Sequence, residues 1–326
     1  MPDRVVVVVN KWYECDPFLA ALLNANGRPP GSAVAWVNPL RHPRLRTNTS
    51  APGKEPAAGE ACQQPRAVLP VGAGVMEVWC ISDLLEDLPD VPAMQSSPRN
   101  KAKRVPLIFH GPKPRLVIAV GTAGFALGRS LPGAERAAGH VVIGTSVFMY
   151  DYHPERAGQD DHWDCDGYDK LLTSSLPAAT FGALVEPLVG AESEVAKRFA
   201  APPLCSASAP QVFARHELTS VGSLNVIDTN EYAEADGRAL DAHAAAGGDI
   251  ALPRSVETTH GLIRVSCDAP FLFVSGITNR ALAVTQELRP RKFAQETTAS
   301  SNAGVAVAWM LPRLTLLLTG KSDGPA

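Results

Sequence analysis

The stretch that decides the reading is Ser255-Val-Glu-Thr-Thr-His-Gly-Leu-Ile-Arg-Val265, then Ser-Cys-Asp-Ala, then Pro270-Phe-Leu-Phe-Val-Ser-Gly-Ile-Thr-Asn279-Arg280. The first part has helical spacing. Val256, Leu262, Ile263 and Val265 share much of one face, with Gly261 as its weak point. Phe271-Leu-Phe-Val274 is a continuous apolar run, the pattern of a strand buried on both faces. In an open α/β sheet, ligands collect outside the carboxyl ends of the strands. A helix opening at Glu257 and a strand ending at Asn279 would flank one pocket. A plainer account stays open: Glu257 as an acid that favours a helix N-terminus, and Asn279 as a turn former.

Outward from that stretch, the chain reads as alternating strands and helices. Arg4-Val-Val-Val-Val-Val-Asn10 is a buried first strand. The polar loop after it puts Glu14 and Asp16 at the carboxyl edge of the sheet. Asp16-Pro17 reads as a helix cap followed by a first-turn proline. Ala33 to Val37 reads as a second strand. From Arg41 to about Pro70 the composition turns to Pro, Ala, Gly, Thr, Asn and Gln, an irregular surface excursion. Val75 to Ile81 returns to strand, and Ser82 to Gln95 reads as an acidic loop. Ser97-Pro98 opens a helix whose first turn carries Arg99 and Lys101, where an anion can bind; a solvated basic turn is the commoner arrangement.

Leu116 to Val120 is another buried strand, and Gly121-Thr-Ala-Gly-Phe-Ala126 follows directly. Small residues after a buried strand let a ligand approach the backbone. The pattern is neither Gly-x-Gly-x-x-Gly nor a phosphate-cradling P-loop. His140 to Gly144, Gln211 to His216 and Ser223 to Asp228 read as further strands. Asp228-Thr-Asn-Glu-Tyr232 leaves the last of these, so Tyr232 either packs on the core or stacks on a flat ligand. Ser301 to Met310 reads as a final helix, and Leu311 to Leu318 as a packed C-terminal segment.

Composition bounds the class. The 326 residues are 45% hydrophobic with a net charge of -3, which fits a globular chain with no basic surplus for nucleic acid. No run reaches the roughly 18 apolar residues of a membrane helix. The six cysteines are scattered without a Cys-x-x-Cys pair, which predicts reduced thiols in a cytoplasm. Phe148 to Asp169 is rich in Asp, His, Trp and Tyr but lacks clean ligand spacing, so no metal is expected.

In this order, four segments resemble the nucleoside phosphorylase and nucleosidase superfamily. Val117-Ile-Ala-Val-Gly-Thr-Ala-Gly124 is similar to the family's catalytic Gly-Ser/Thr-Ala-Gly loop. Val256-Glu257 is similar to its Met-Glu signature, at the start of a buried helix. Pro270 to Asn279 is similar to its strand ending in Ile-Ser-Asp or Ile-Thr-Asn. Asp228 to Tyr232 resembles, more loosely, the turn bearing the aromatic that stacks on the base.

The resemblance implies one domain over residues 1–326, with a Pro/Ala-rich insertion at about 41–70. The implied fold is a three-layer α/β/α sandwich around a mixed, twisted sheet. The implied reaction is cleavage of the N-glycosidic bond of a purine-type nucleoside, by phosphate or by water. Free base and ribose 1-phosphate or ribose would leave. Glu257 would hold the ribose hydroxyls and steady the cationic sugar, and Asn279 would bond the departing base. Thr122 with Gly121, Ala123 and Gly124 would place the nucleophile. Tyr232 would stack on the base and Val256 would line the sugar floor. Arg99 and Lys101 are the candidates for phosphate. The family implies no cofactor beyond phosphate as co-substrate, and a cytoplasmic homo-oligomer without nucleic-acid or membrane partners.

Two positions depart from the family. Asn279 stands where many members have Asp, and an amide cannot transfer a proton. Ala119 stands where the hexameric branch has a phosphate-binding Arg. A nucleoside-binding protein of the same fold without turnover is therefore a second reading. A dinucleotide-dependent oxidoreductase built on Gly121 to Gly128 is a third. A serine hydrolase would need a Gly-x-Ser-x-Gly elbow, which is missing.

Overall fold

Val5, Val7 and Val9 face one hydrophobic core while Val6 and Val8 face another, so the first strand already needs cover on both sides. The computed structural model describes residues 3–24, 64–85, 98–128, 137–159, 161–190, 192–202, 209–222, 224–225, 231–281 and 283–319. The strands are β1 (Arg4–Val9), β2 (Ala67–Val71), β3 (Gly74–Cys80), β4 (Leu116–Leu127), β5 (Val141–Gly144), β6 (Ser146–Met149), β7 (Leu171–Leu172), β8 (Val212–Ala214), β9 (Thr219–Gly222), β10 (Pro253–Glu257) and β11 (Phe271–Arg280). The helices are α1 (Trp12–Leu23), α2 (Ile81–Leu84), α3 (Pro98–Arg104), α4 (Ala178–Val189), α5 (Glu192–Ala196), α6 (Tyr232–Ala245), α7 (His260–Ser266) and α8 (Lys292–Thr319).

The eleven strands among the described residues join one mixed sheet, ordered β2-β3-β1-β4-β10-β9-β6-β7 along its main path, with β11, β5 and β8 branching from β4. Residues of α1, α4 and α8 pack on one face, and those of α2 and α7 on the other. This is the expected three-layer α/β/α arrangement. Each Val, Leu or Phe buried this way contributes roughly 1.5–3 kcal/mol relative to exposure. At Gly276 the strand β11 touches α8 so closely that a Cβ would overlap the Ala299 carbonyl.

The branch at β4 creates the site. β4 pairs with β11 in parallel along one edge, from Val117 to Phe125. On its other edge, β1 ends opposite Val120, and β10, running antiparallel from Leu127, makes its last pair opposite Gly124. Gly121, Thr122 and Ala123 therefore have no strand neighbour on that edge.

Several sequence expectations change. Val256 and Glu257 close a strand instead of opening a helix, and α7 begins at His260. All five residues from 253 to 257 are buried, as in a strand covered on both faces, so the helical spacing that included Val256 is coincidental. Gly121 to Gly124 lie within β4, not in a loop. Helix α1 begins at Trp12 and carries Pro17 inside it; Glu14 accepts the Lys11 N–H at 3.0 Å, and Asp16 pairs with Arg66 instead of capping. The excursion expected to run to Pro70 ends earlier, in β2. Ile81–Leu84 is a short helix at the start of the expected acidic loop. The strand expected at Ser223–Asp228 lies earlier, at β9, and most of the expected span is outside the described residues, as is Ala33–Val37. The last helix runs unbroken through Pro312. By length and composition α8 is apolar enough to cross a membrane, contrary to expectation, although 67% of that apolar window is buried against the sheet and α1.

Candidate active site

A cavity of about 300 Å³ opens where the branch leaves Gly121 to Gly124 uncovered. Asn10 from the end of β1, Glu14 from α1, Glu257 from β10 and Asn279 from β11 reach it together, with Tyr232 and Val256. Thr122, Ala123 and the two glycines form part of its wall. The two groups expected to face one cleft, Glu257 and Asn279, thus line the same cavity. Arg99 and Lys101 are not among its lining residues. Arg99 donates to the Gln159 carbonyl at 3.3 Å, and Lys101 Nζ donates to Asn10 Oδ1 at 3.4 Å.

Glu257 is held in place from several sides. Its Oε2 accepts the Thr259 N–H and, at 3.1 Å, the Thr259 hydroxyl. Its Oε1 accepts the His260 N–H at 2.8 Å and the Ser220 hydroxyl at 3.5 Å. The residues after the strand turn their donors back onto its last side chain, which fixes the carboxylate without a cation. Gly222 sits beside it in register, and a Cβ there would stand 3.0 Å from Glu257 Oε1. His260 is fully buried, stacked on Phe273, and its Nδ1 lies 2.9 Å from Ser220 Oγ. Burial lowers the pKa of His260, with Glu257 opposing, which favours the neutral ring.

Glu14 was placed at the sheet edge by the sequence but given no role. Its Oε1 accepts both the Thr122 N–H, at 3.1 Å, and the Thr122 hydroxyl. Burial raises its pKa, the Thr122 and Lys11 bonds pull it back, and Glu257 raises it again. Glu296 on α8 was missed altogether. It lines the same cavity, and burial pushes its pKa up to about 8, with Lys292 opposing and Glu14 adding. Only a helix running from Lys292 brings it there, and the apolar pattern of the sequence begins that helix at Ser301.

Asn279 follows a bulge in the pairing of β11 with β4, between Ile277 and Asn279. Its Oδ1 accepts the Thr278 hydroxyl at 2.6 Å and its Nδ2 donates to the Arg280 carbonyl. One N–H and one carbonyl lone pair remain for a ligand. Tyr232 stands at the start of α6 with its hydroxyl pKa raised by burial and by Glu257. Among the described residues, no group of three His, Cys, Asp or Glu side chains is arranged to hold a metal ion, and Cys15, Cys80, Cys165 and Cys267 are free thiols.

No family model matches the sequence, and no curated protein matches it. Among solved structures, the 5′-methylthioadenosine/S-adenosylhomocysteine nucleosidase of Campylobacter jejuni is similar at 10% identity and a TM-score of 0.49, over 96% of this chain and 99% of that one. The S-adenosylhomocysteine nucleosidase of Streptococcus pyogenes, in complex with 5-methylthiotubericidin, is similar at 12% identity and a TM-score of 0.45, over 94% and 97%. The 5′-methylthioadenosine/S-adenosylhomocysteine nucleosidase of Neisseria meningitidis, in complex with methylthio-immucillin-A, is similar at 15% identity and a TM-score of 0.42, over 93% and 98%.

Proposed function

We propose that the chain cleaves the N-glycosidic bond of a purine-type nucleoside with water as the nucleophile. The observation that carries the reading is the pair of buried carboxylates, Glu14 and Glu257, in one cavity with the amide of Asn279. Glycosidic cleavage builds positive charge on the sugar and negative charge on the base. Glu257 accepts from the ribose hydroxyls and stabilises the oxocarbenium-like sugar. Glu14 takes a proton from water as its oxygen bonds to C1′ and the C1′–N bond breaks. The electron pair leaves with the base. Asn279 donates a hydrogen bond to the base, which then takes its proton from solvent. A base of raised pKa suits proton abstraction near neutrality.

Water is favoured over phosphate by charge. A phosphate at Thr122 would meet the Glu14 carboxylate; neither Arg99 nor Lys101 lines the cavity, and its lining cations, Arg289 and Lys292, are exposed at the rim. Tyr232 supplies a face for the base and Val256 the floor of the sugar. We place the enzyme in the cytoplasm as a homo-oligomer that uses no cofactor, with a small nucleoside as its partner and neither nucleic acid nor membrane.

The test is base release from inosine, adenosine and methylthioadenosine, with and without phosphate. Release indifferent to phosphate is expected. Release that requires phosphate overturns the hydrolytic version. Tight nucleoside binding with no base released would favour the second reading, a binding protein, which the proton-incompetent Asn279 keeps in view.

A further inference from the structure

The α8 end of the cavity is polar in a way that cleavage of the glycosidic bond does not use. Glu296 is 5% exposed, lines the cavity, and its Oε2 is buried without a hydrogen-bond partner. Lys292 and Arg289 line the same end and are exposed, so they form its rim. A buried acceptor left unbonded is costly, and such groups find a partner in the working state. Nothing in the proposed chemistry supplies one, since Glu257 takes the ribose hydroxyls and Asn279 the base.

We infer that Glu296 receives a hydrogen bond from a hydroxyl on the substrate, the free 5′-hydroxyl of an unmodified nucleoside. The inference rests on the nucleoside reading and deepens it. Three alternatives fit less well. A phosphate dianion only accepts hydrogen bonds, so Arg289 and Lys292 would attract it while Oε2 stayed unbonded. An ammonium substituent would meet the cationic rim of Arg289 and Lys292. An alkylthio or deoxy substituent would leave Oε2 as orphaned as before. A neutral donor satisfies the acceptor and offends neither sign. Burial favours the neutral form of Glu296, which can also donate to the hydroxyl oxygen in return.

The experiment compares base release from adenosine, 5′-deoxyadenosine, 5′-methylthioadenosine and adenosine 5′-monophosphate by the wild-type chain and by Glu296→Gln and Glu296→Leu. The wild type should favour adenosine over the deoxy and methylthio compounds by on the order of tenfold to a hundredfold in kcat/KM. Gln, which can still bond a hydroxyl, should keep most of that preference. Leu should abolish or invert it. Equal use of hydroxy and methylthio substrates by the wild type, or a Leu variant with unchanged preference, overturns the inference and leaves the glycosidase reading standing. A preference for the monophosphate also overturns it. No release from any of the four, nor from inosine, overturns the glycosidase reading itself, and this assignment with it.

Discussion

The carboxylate of Glu14 occupies the gap that the branching sheet leaves at Thr122. Its Oε1 takes the backbone N–H that neither β1 nor β10 reaches, and the hydroxyl of the same residue. A side chain thus completes a strand edge, and the same bonds hold an acid in the cavity. On the proposed chemistry, Glu14→Gln keeps the size and one acceptor but removes the base. Turnover should fall by roughly 10²–10⁴-fold with little change in KM. Steady-state kinetics on the preferred nucleoside check this.

The same residue should set the acid limb of the pH profile. A general base works when deprotonated, and burial raises the Glu14 pKa above the ordinary carboxylate range. Activity should therefore fall as the pH drops through that raised value, above the usual 4.5 of a glutamate. A profile of kcat/KM with its acid limb at or below 4.5 would contradict the assignment.

Glu257 and Asn279 should fail differently. Glu257→Ala removes the sugar contact and leaves the donors of Thr259 and His260 unpaired, so both KM and kcat should worsen, with turnover down by roughly 10²–10³-fold. Asn279→Ala should lower kcat most for substrates with poor leaving bases. Gly222→Ala should mimic a weakened Glu257, because the added methyl crowds Oε1. Circular dichroism should be native-like for all three, and wild-type activity in the first two would refute the site.

Glu296 ties stability to pH. A carboxyl whose folded pKa is about 8, against the usual 4.5 of a glutamate, binds its proton more tightly in the fold. Stability should be greatest below about 4.5 and decline as the pH rises toward 8. The decline should amount to a few kcal/mol at most, since each tenfold difference in proton affinity between folded and unfolded chain is worth roughly 1.4 kcal/mol. Glu296→Gln should reduce the slope, leaving the part that Glu14 contributes with the same sign. Urea midpoints at about pH 5 and about pH 9 read this out directly.

Away from the cavity, Arg66 clamps β2 to α2 and α1. Its guanidinium bonds Asp83 twice, at 2.7 and 2.9 Å, and also pairs with Asp16. Asp83 is 3% exposed, so Arg66→Leu leaves a buried charge without its partner and should cost about 3–5 kcal/mol. The double variant Arg66→Leu/Asp83→Leu should recover much of the loss in denaturant melts, since the unpaired charge is gone.

The periodicity of short segments was legible in the sequence. The valine run of β1, the apolar cores of β4 and β11 and the helical body of α8 follow from burial on one face or two, which neighbouring residues encode. Glu257, Asn279, Thr122 and Tyr232 could be named as candidates from motif order alone. Pairing decided the rest. Residues 253–257 are a strand because β9 and β4 supply their hydrogen bonds, and no local pattern records which neighbours a segment will have. Glu14 meets Thr122 across 108 positions, and Glu296 reaches the cavity only because the last helix starts at Lys292, well before its apolar stretch. Local sequence carries the propensity of each piece; the branch in the sheet, which exists only once distant strands have paired, determines which polar side chains share one cavity.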